Sequence, residues 1–83
     1  MADTLPFSAG AARILEGRCT GEYMREHTSM IRREPLGVVF TVAAWNYPYL
    51  IAVNSVVPAI MAGNAVVLKP SELAPFSGHI MAE

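Results

Sequence analysis

The sequence predicts an α/β fold: one βαβ unit of a doubly wound parallel sheet, preceded by a helix and an extended arm. Three observations carry that expectation. Gly37-Val38-Val39-Phe40-Thr41-Val42-Ala43 and Ala65-Val66-Val67-Leu68 are short β-branched apolar runs, the pattern of strands buried on both faces. Between them, Pro48 to Ala62 is apolar on most sides and is closed by Gly63, which reads as a buried helix. Strand, helix and strand with short links make a crossover whose strands run parallel.

Before that unit, Thr4 to Glu16 reads as a helix, with Leu5, Ala9, Ala12 and Leu15 near one face and Gly17 as its stop. From Glu22 to Glu34 the residues alternate without a clean apolar face. An extended, partly exposed strand or ribbon is expected there, ended by Pro35. Pro48 suits the first turn of the central helix, whereas Pro58 inside it should bend it or cost one hydrogen bond. After Lys69-Pro70, Ser71 is placed to cap a further helix. Two units result, a leading helix and arm over residues 1–34 and a partial nucleotide-binding βαβ unit over 35–83.

Composition narrows the function. The 83 residues allow one small domain, yet 53% are apolar and only 16% charged. That is more apolar than a self-sufficient small domain, so part of the surface should pack against further protein. A net charge of −1 offers no attraction to nucleic acid or an anionic membrane. The only cysteine, Cys19, rules out an internal disulfide, and Met1 to Gly10 has no signal-peptide pattern, so a cytoplasmic location is expected. Pro35 to Leu68 is free of charge, but Gly37, Asn46, Pro48, Asn54, Pro58, Gly63 and Asn64 break it up. Its longest helical part would rise about 22 Å at ~1.5 Å per residue, short of the roughly 30 Å of a membrane core. His27 and His79 have no partners at metal-ligand spacing, so no metal is expected.

Doubly wound sheets bind ligands beyond the carboxyl ends of their strands. Two clusters fall there: Ala44-Trp45-Asn46-Tyr47-Pro48 and Lys69-Pro70-Ser71-Glu72. Topology puts both on one sheet edge. Asn46 is either a turn-former or cap, or a neutral amide able to stabilise an oxyanion near a helix N-terminus. Lys69, the only lysine, is either a solvated strand-end charge or a donor to ribose or phosphate. Glu72 is either a first-turn acid favoured by a helix dipole or an acceptor for ribose hydroxyls. Trp45 reads as core.

Four blocks in order, Arg33-Glu34-Pro35-Leu36-Gly37-Val38-Val39, Trp45-Asn46-Tyr47-Pro48, Pro58-Ala59-Ile60-Met61-Ala62-Gly63-Asn64 and Val66-Val67-Leu68-Lys69-Pro70-Ser71-Glu72, resemble the aldehyde dehydrogenase superfamily. The likeness is firm from about Arg32 onward. Earlier it is looser, where Gly10-Ala11-Ala12-Arg13 and the arm fit the family's first helix and bridging strand. The resemblance implies a Rossmann-like cofactor domain and oxidation of an aldehyde to an acid. The reaction would pass through a thiohemiacetal on a cysteine, with NAD(P)+ taking the hydride. It implies that Asn46 is the oxyanion donor and that the backbone at Ala43, Ala44 and Trp45 borders the nicotinamide half. It also implies that Lys69 and Glu72 hold the adenine-side ribose, with Pro70 and Ser71 in the same loop. An acid at Glu72 would repel a 2′-phosphate, which favours NAD over NADP. The resemblance also implies a homodimer or homotetramer for the full-length protein.

Departures from the family pattern are Ala44, where proline is common, and Ser55, where many members have lysine. The family's nucleophilic cysteine, general-base glutamate and second glycine turn lie downstream of the lysine-proline block and have no counterpart in these residues. Cys19 precedes the motifs and reads as structural or incidental. The chain is therefore expected to be an internal piece of such an enzyme, inactive alone. The rival readings are a truncated chain that binds a nucleotide or an assembly partner without catalysis, and a small membrane hairpin.

Overall fold

A computed structural model describes residues 3–83, apart from the side chains of Thr20, Glu22 and Tyr23. Its elements run α1 (Thr4–Ala12), β1 (Arg18–Met24), β2 (His27–Ile31), β3 (Val38–Val42), α2 (Pro48–Met61), β4 (Ala65–Lys69) and α3 (Pro75–Ala82). Strands β3 and β4 pair directly and in parallel, from Val38 opposite Ala65 to Val42 opposite Lys69. Helix α2 crosses between them and packs on both. The α/β, βαβ expectation is met.

The end of α2 shows why the crossover stops where it does. Gly63 has φ +88°, a region open to glycine at little cost. Its N–H donates to the Ile60 carbonyl at 2.8 Å, and that of Asn64 donates to Ala59 at 3.1 Å. Those two bonds form a Schellman closure, satisfying carbonyls that the helix leaves open. Pro58 sits inside α2 without breaking it, at the cost of one N–H donor.

Burial departs from expectation on one side. On the face beneath α2, Thr41 is buried and Val39, Val66 and Leu68 are half-buried, with Ala52 of α2 among the least exposed residues. On the other face Val38, Phe40, Val42 and Val67 are 53 to 69% exposed. Strict alternation follows from the pleat, and α2 can cover only one side. Both faces are apolar, as the strand pattern implies, but the described residues supply a layer for one.

Helix α1 is shorter than the sequence suggests, ending at Ala12 rather than Glu16. The N–H groups of Arg13 and Ile14 reach back only three residues, to Gly10 and Ala11, which tightens the last turn and closes the helix. Its packed face also differs. Ser8 is buried and Thr4, Ala11 and Ala12 are half-buried, whereas Leu5 and Leu15 are exposed. Small residues let α1 approach α2 closely, and Thr4 Oγ1 donates to Asn54 Oδ1 at 3.3 Å. Gly17 lies beyond the helix. A Cβ there would run into the Ile31 carbonyl, so its role is to let two backbones pass.

The arm is a hairpin, not one ribbon. β1 and β2 pair antiparallel from Arg18–Ile31 to Met24–His27, turning at Arg25-Glu26, where Glu26 has φ +67°. The alternation from Glu22 to Glu34 runs through both strands, and no Gly or Asn marks the turn. The hairpin packs substantially only on itself. The molecule accordingly measures 59 × 23 × 21 Å with a radius of gyration of 17.4 Å. A compact chain of this length would have about 12 Å. Among the described residues, no helix is long and apolar enough to cross a membrane.

Candidate functional site

The parallel register brings the two motif loops to one edge. The Ala43 N–H donates to the Lys69 carbonyl at 3.1 Å, extending the ladder one step past the strands. From that shared rung the chain leaves toward Trp45-Asn46 on one side and Pro70-Ser71-Glu72 on the other.

Both loops end in the same way. Tyr47 and Ala74, each preceding a proline, have φ −139° and −140°, and Pro48 and Pro75 open α2 and α3 at their first turns. Proline disfavours the helical conformation in the residue before it, while its own φ suits a first turn. No side chain caps either helix. Asn46 is therefore not the cap of α2, and its exposed amide has no hydrogen-bond partner among the described residues. Such an amide beside a helix N-terminus is free to donate to an anionic oxygen.

Trp45 is 62% exposed, against the expectation of a core indole. Ala43 is buried and Ala44 exposed, so the backbone between them rises from the sheet to the surface. Ser71 does not cap α3, which begins four residues later. Its Oγ instead accepts the Leu73 N–H at 3.2 Å, and its carbonyl accepts the Ala74 N–H at 3.0 Å. These bonds make a compact turn. Pro75 is the sequence signal that places this helix start.

Lys69 Nζ lies 3.4 Å from Glu72 Oε2 and 3.3 Å from the Pro70 carbonyl. The glutamate's own backbone N–H, then the Lys69 hydrogen bond and charge, hold the Glu72 carboxyl below the usual glutamate range. Both side chains are exposed, at 53% and 83%, so the pair is a solvated ammonium and carboxylate open to a ligand. No group of three or more His, Cys, Asp or Glu among the described residues is arranged to hold a metal ion.

Two further positions tie the strand pair to its helices, one at the opposite end of the strands and one at this edge. Asn64 accepts the Gly37 N–H at 3.0 Å and donates to the Ala59 carbonyl at 3.0 Å, joining the start of β3 to the end of α2. Gly78 of α3 faces Pro70 so closely that a Cβ there would stand 2.5 Å from Pro70 Cγ. A glycine three residues into a proline-started helix is the available signal for that contact.

The chain matches the aldehyde dehydrogenase family over residues 1–83. It is 60% identical over 50 residues to "Aldehyde dehydrogenase family 3 member H1" of Arabidopsis thaliana, covering 60% of this chain and 10% of that protein. It is 54% identical over 56 residues to "Aldehyde dehydrogenase family 3 member I1, chloroplastic" of the same organism, covering 68% and 10%. A solved structure of a 3,6-anhydro-L-galactose dehydrogenase in complex with NAD(P) superposes with a TM-score of 0.85 at 30% identity. That superposition covers 93% of this chain and 16% of the other. The chain belongs to the aldehyde dehydrogenase family. It spans about a tenth of the length of these plant relatives.

Proposed function

We propose that these residues form part of the cofactor site of an NAD(P)-dependent aldehyde dehydrogenase, in which an aldehyde is oxidised to a carboxylic acid. The observation that carries this reading is the shared edge: the Asn46 loop and the Lys69–Glu72 loop leave adjacent parallel strands from one rung. In this reading the Asn46 amide donates to the substrate oxygen as negative charge develops on it. Such a donor acts without a proton of matched pKa. The backbone from Ala43 to Trp45 borders the nicotinamide ring, which accepts hydride when the cofactor is bound. Lys69 donates to, and Glu72 accepts from, the adenine-side ribose, with Pro70 and Ser71 shaping the loop. The cofactor is NAD, with NADP as the alternative that the Glu72 carboxylate disfavours. The nucleophilic cysteine belongs to sequence beyond these residues. Residues 1–34 serve as a leading helix and assembly arm in a cytoplasmic homodimer or homotetramer.

Saturation curves with NAD and NADP in the full-length enzyme test the roles. Asn46→Ala should lower kcat by roughly 10²–10³, because its bond forms mainly in the transition state. Glu72→Gln should raise the KM for NAD, leave kcat similar, and narrow the gap between NAD and NADP. If Asn46→Ala changes only the cofactor KM and Glu72→Gln only kcat, the assignment is wrong.

A further inference from the structure

We infer that Gly78, nine residues beyond Lys69 and outside every motif, is a positioning residue that sets the placement of the Lys69–Glu72 loop through Pro70. The inference rests on the reading of that loop as a ribose-binding element.

Helix α3 presents Gly78, Met81 and Ala82 on one face, at the i, i+3, i+4 spacing that faces a neighbour. With Val56 and Ile60 of α2 and Val66 and Leu68 of β4, these residues line an apolar cleft of about 310 Å³. Helix α3 stands across that cleft from α2 and β4 without packing closely on either, and its close approach to the loop is at Pro70, whose ring occupies the space where a side chain at 78 would stand. The hypothetical Cβ would lie 2.5 Å from Pro70 Cγ, 2.8 Å from Cβ and 3.3 Å from Cδ. Carbon atoms in contact sit about 3.5–4.0 Å apart, so any side chain must displace the ring, or the helix that carries it, by roughly 1 Å. A proline ring is fused to its backbone and cannot swing away as a long side chain can.

On the loop side, a displaced ring has few places to go. Upstream, the Lys69 carbonyl is held by the Ala43 N–H, which ties the loop to the strand ladder. Downstream, the Ser71 turn is closed by its bonds to Leu73 and Ala74. Pro70 lies between these two fixed points, and Lys69 Nζ takes its carbonyl as one partner and Glu72 as the other. Movement of Pro70 therefore changes the spacing of the ammonium and carboxylate that would grip one ribose. Gly78 acts as the backstop that defines that spacing.

Steady-state kinetics and cofactor binding in the full-length enzyme test this. Gly78→Val should raise the NAD KM and Kd about tenfold, the worth of one hydrogen bond to a charged group, with kcat within about twofold. Gly78→Ala should move in the same direction by less. The rescue is Pro70→Gly, which removes the ring that the new side chain meets. Against a Pro70→Gly background, Gly78→Val should change the NAD KM by less than about twofold, because their effects are coupled through one contact. Equal losses in both backgrounds, or a fall in kcat with KM unchanged, would overturn the positioning role. Lys69→Ala, measured alongside, separates the two levels of inference. If Lys69→Ala weakens NAD binding and Gly78→Val does not, the ribose reading stands and the backstop fails. If neither does, both fall.

Discussion

Asn64 performs at one position a task usually divided among several groups. Its carbonyl oxygen takes the Gly37 N–H and its amide nitrogen gives to the Ala59 carbonyl, while its own backbone completes the closure of α2. Asn64→Ala removes both side-chain bonds and leaves a part-buried carbonyl without that partner. The expected loss is about 1–3 kcal/mol of unfolding free energy, read as a shift in urea midpoint. Asn64→Asp should recover part of it, since the acceptor for Gly37 is kept. At Glu72 the sign of the pH effect is fixed by the direction of its shift. A carboxyl whose pKa is depressed by folding contributes fully above the ordinary glutamate pKa, and the contribution is lost as pH falls through the folded value. A side-chain NMR titration should find its midpoint below that of a free glutamate. Lys69→Ala should raise the midpoint without restoring it fully, because the residue's own backbone N–H is the larger cause.

Among the elements, the two prolines that open helices account for much of what sequence pattern conveys. Pro48 announces α2 directly, because an apolar run follows it. Pro75 announces α3 just as clearly, yet Ser71 competes as a cap, and its hydroxyl serves a local turn instead. The hairpin is the hardest element to read. Its turn is Arg25-Glu26, with a non-glycine residue at positive φ, so the usual punctuation is missing. The packed face of α1 is hidden for another reason: apolar periodicity points to Leu5, Ala9 and Leu15 as well as Ala12, but close approach to α2 selects Ser8, with Thr4 and Ala11 beside Ala12. Gly63 offers a test at this scale. Its φ is +88°, and a methyl group added there would stand 2.8 Å from Pro35 Cγ, so Gly63→Ala combines backbone strain with a clash. It should cost about 1–3 kcal/mol, seen as a lowered Tm with unchanged secondary structure at low temperature.

For the molecule as a whole, the candidate site is legible in outline, because strand ends and motif loops follow from topology. What sequence leaves open is how much of the sheet these residues can cover. Val38, Phe40, Val42 and Val67 make a bare apolar face opposite α2, an area that water meets at a cost. The isolated 83 residues should bind a hydrophobic dye and associate as concentration rises, and Phe40→Lys should reduce both in sedimentation and fluorescence measurements. They should oxidise no aldehyde, since Asn46 has no thiolate adduct to stabilise. Turnover by the isolated chain that persists in Cys19→Ser would contradict that expectation.

The two sheets also differ in how far apart their partners lie along the chain, and this bears on the order in which they form. In the hairpin the most distant ladder pair, Arg18 and Ile31, is 13 residues apart (31 − 18), and Met24 and His27 are 3 apart (27 − 24). Every pair between β3 and β4 is 27 apart (65 − 38 for the first), with a whole helix inside the loop. Closing the longer loop costs more chain entropy before any contact rewards it, and parallel pairing gains less per residue. A hairpin can close in roughly 1–10 μs, whereas the parallel pair must wait for α2 to be laid down. During synthesis the arm also leaves the ribosome first. Its strands can therefore sample their register while the residues from Asn46 to Glu72, which carry the edge that would meet a nucleotide, are still being joined.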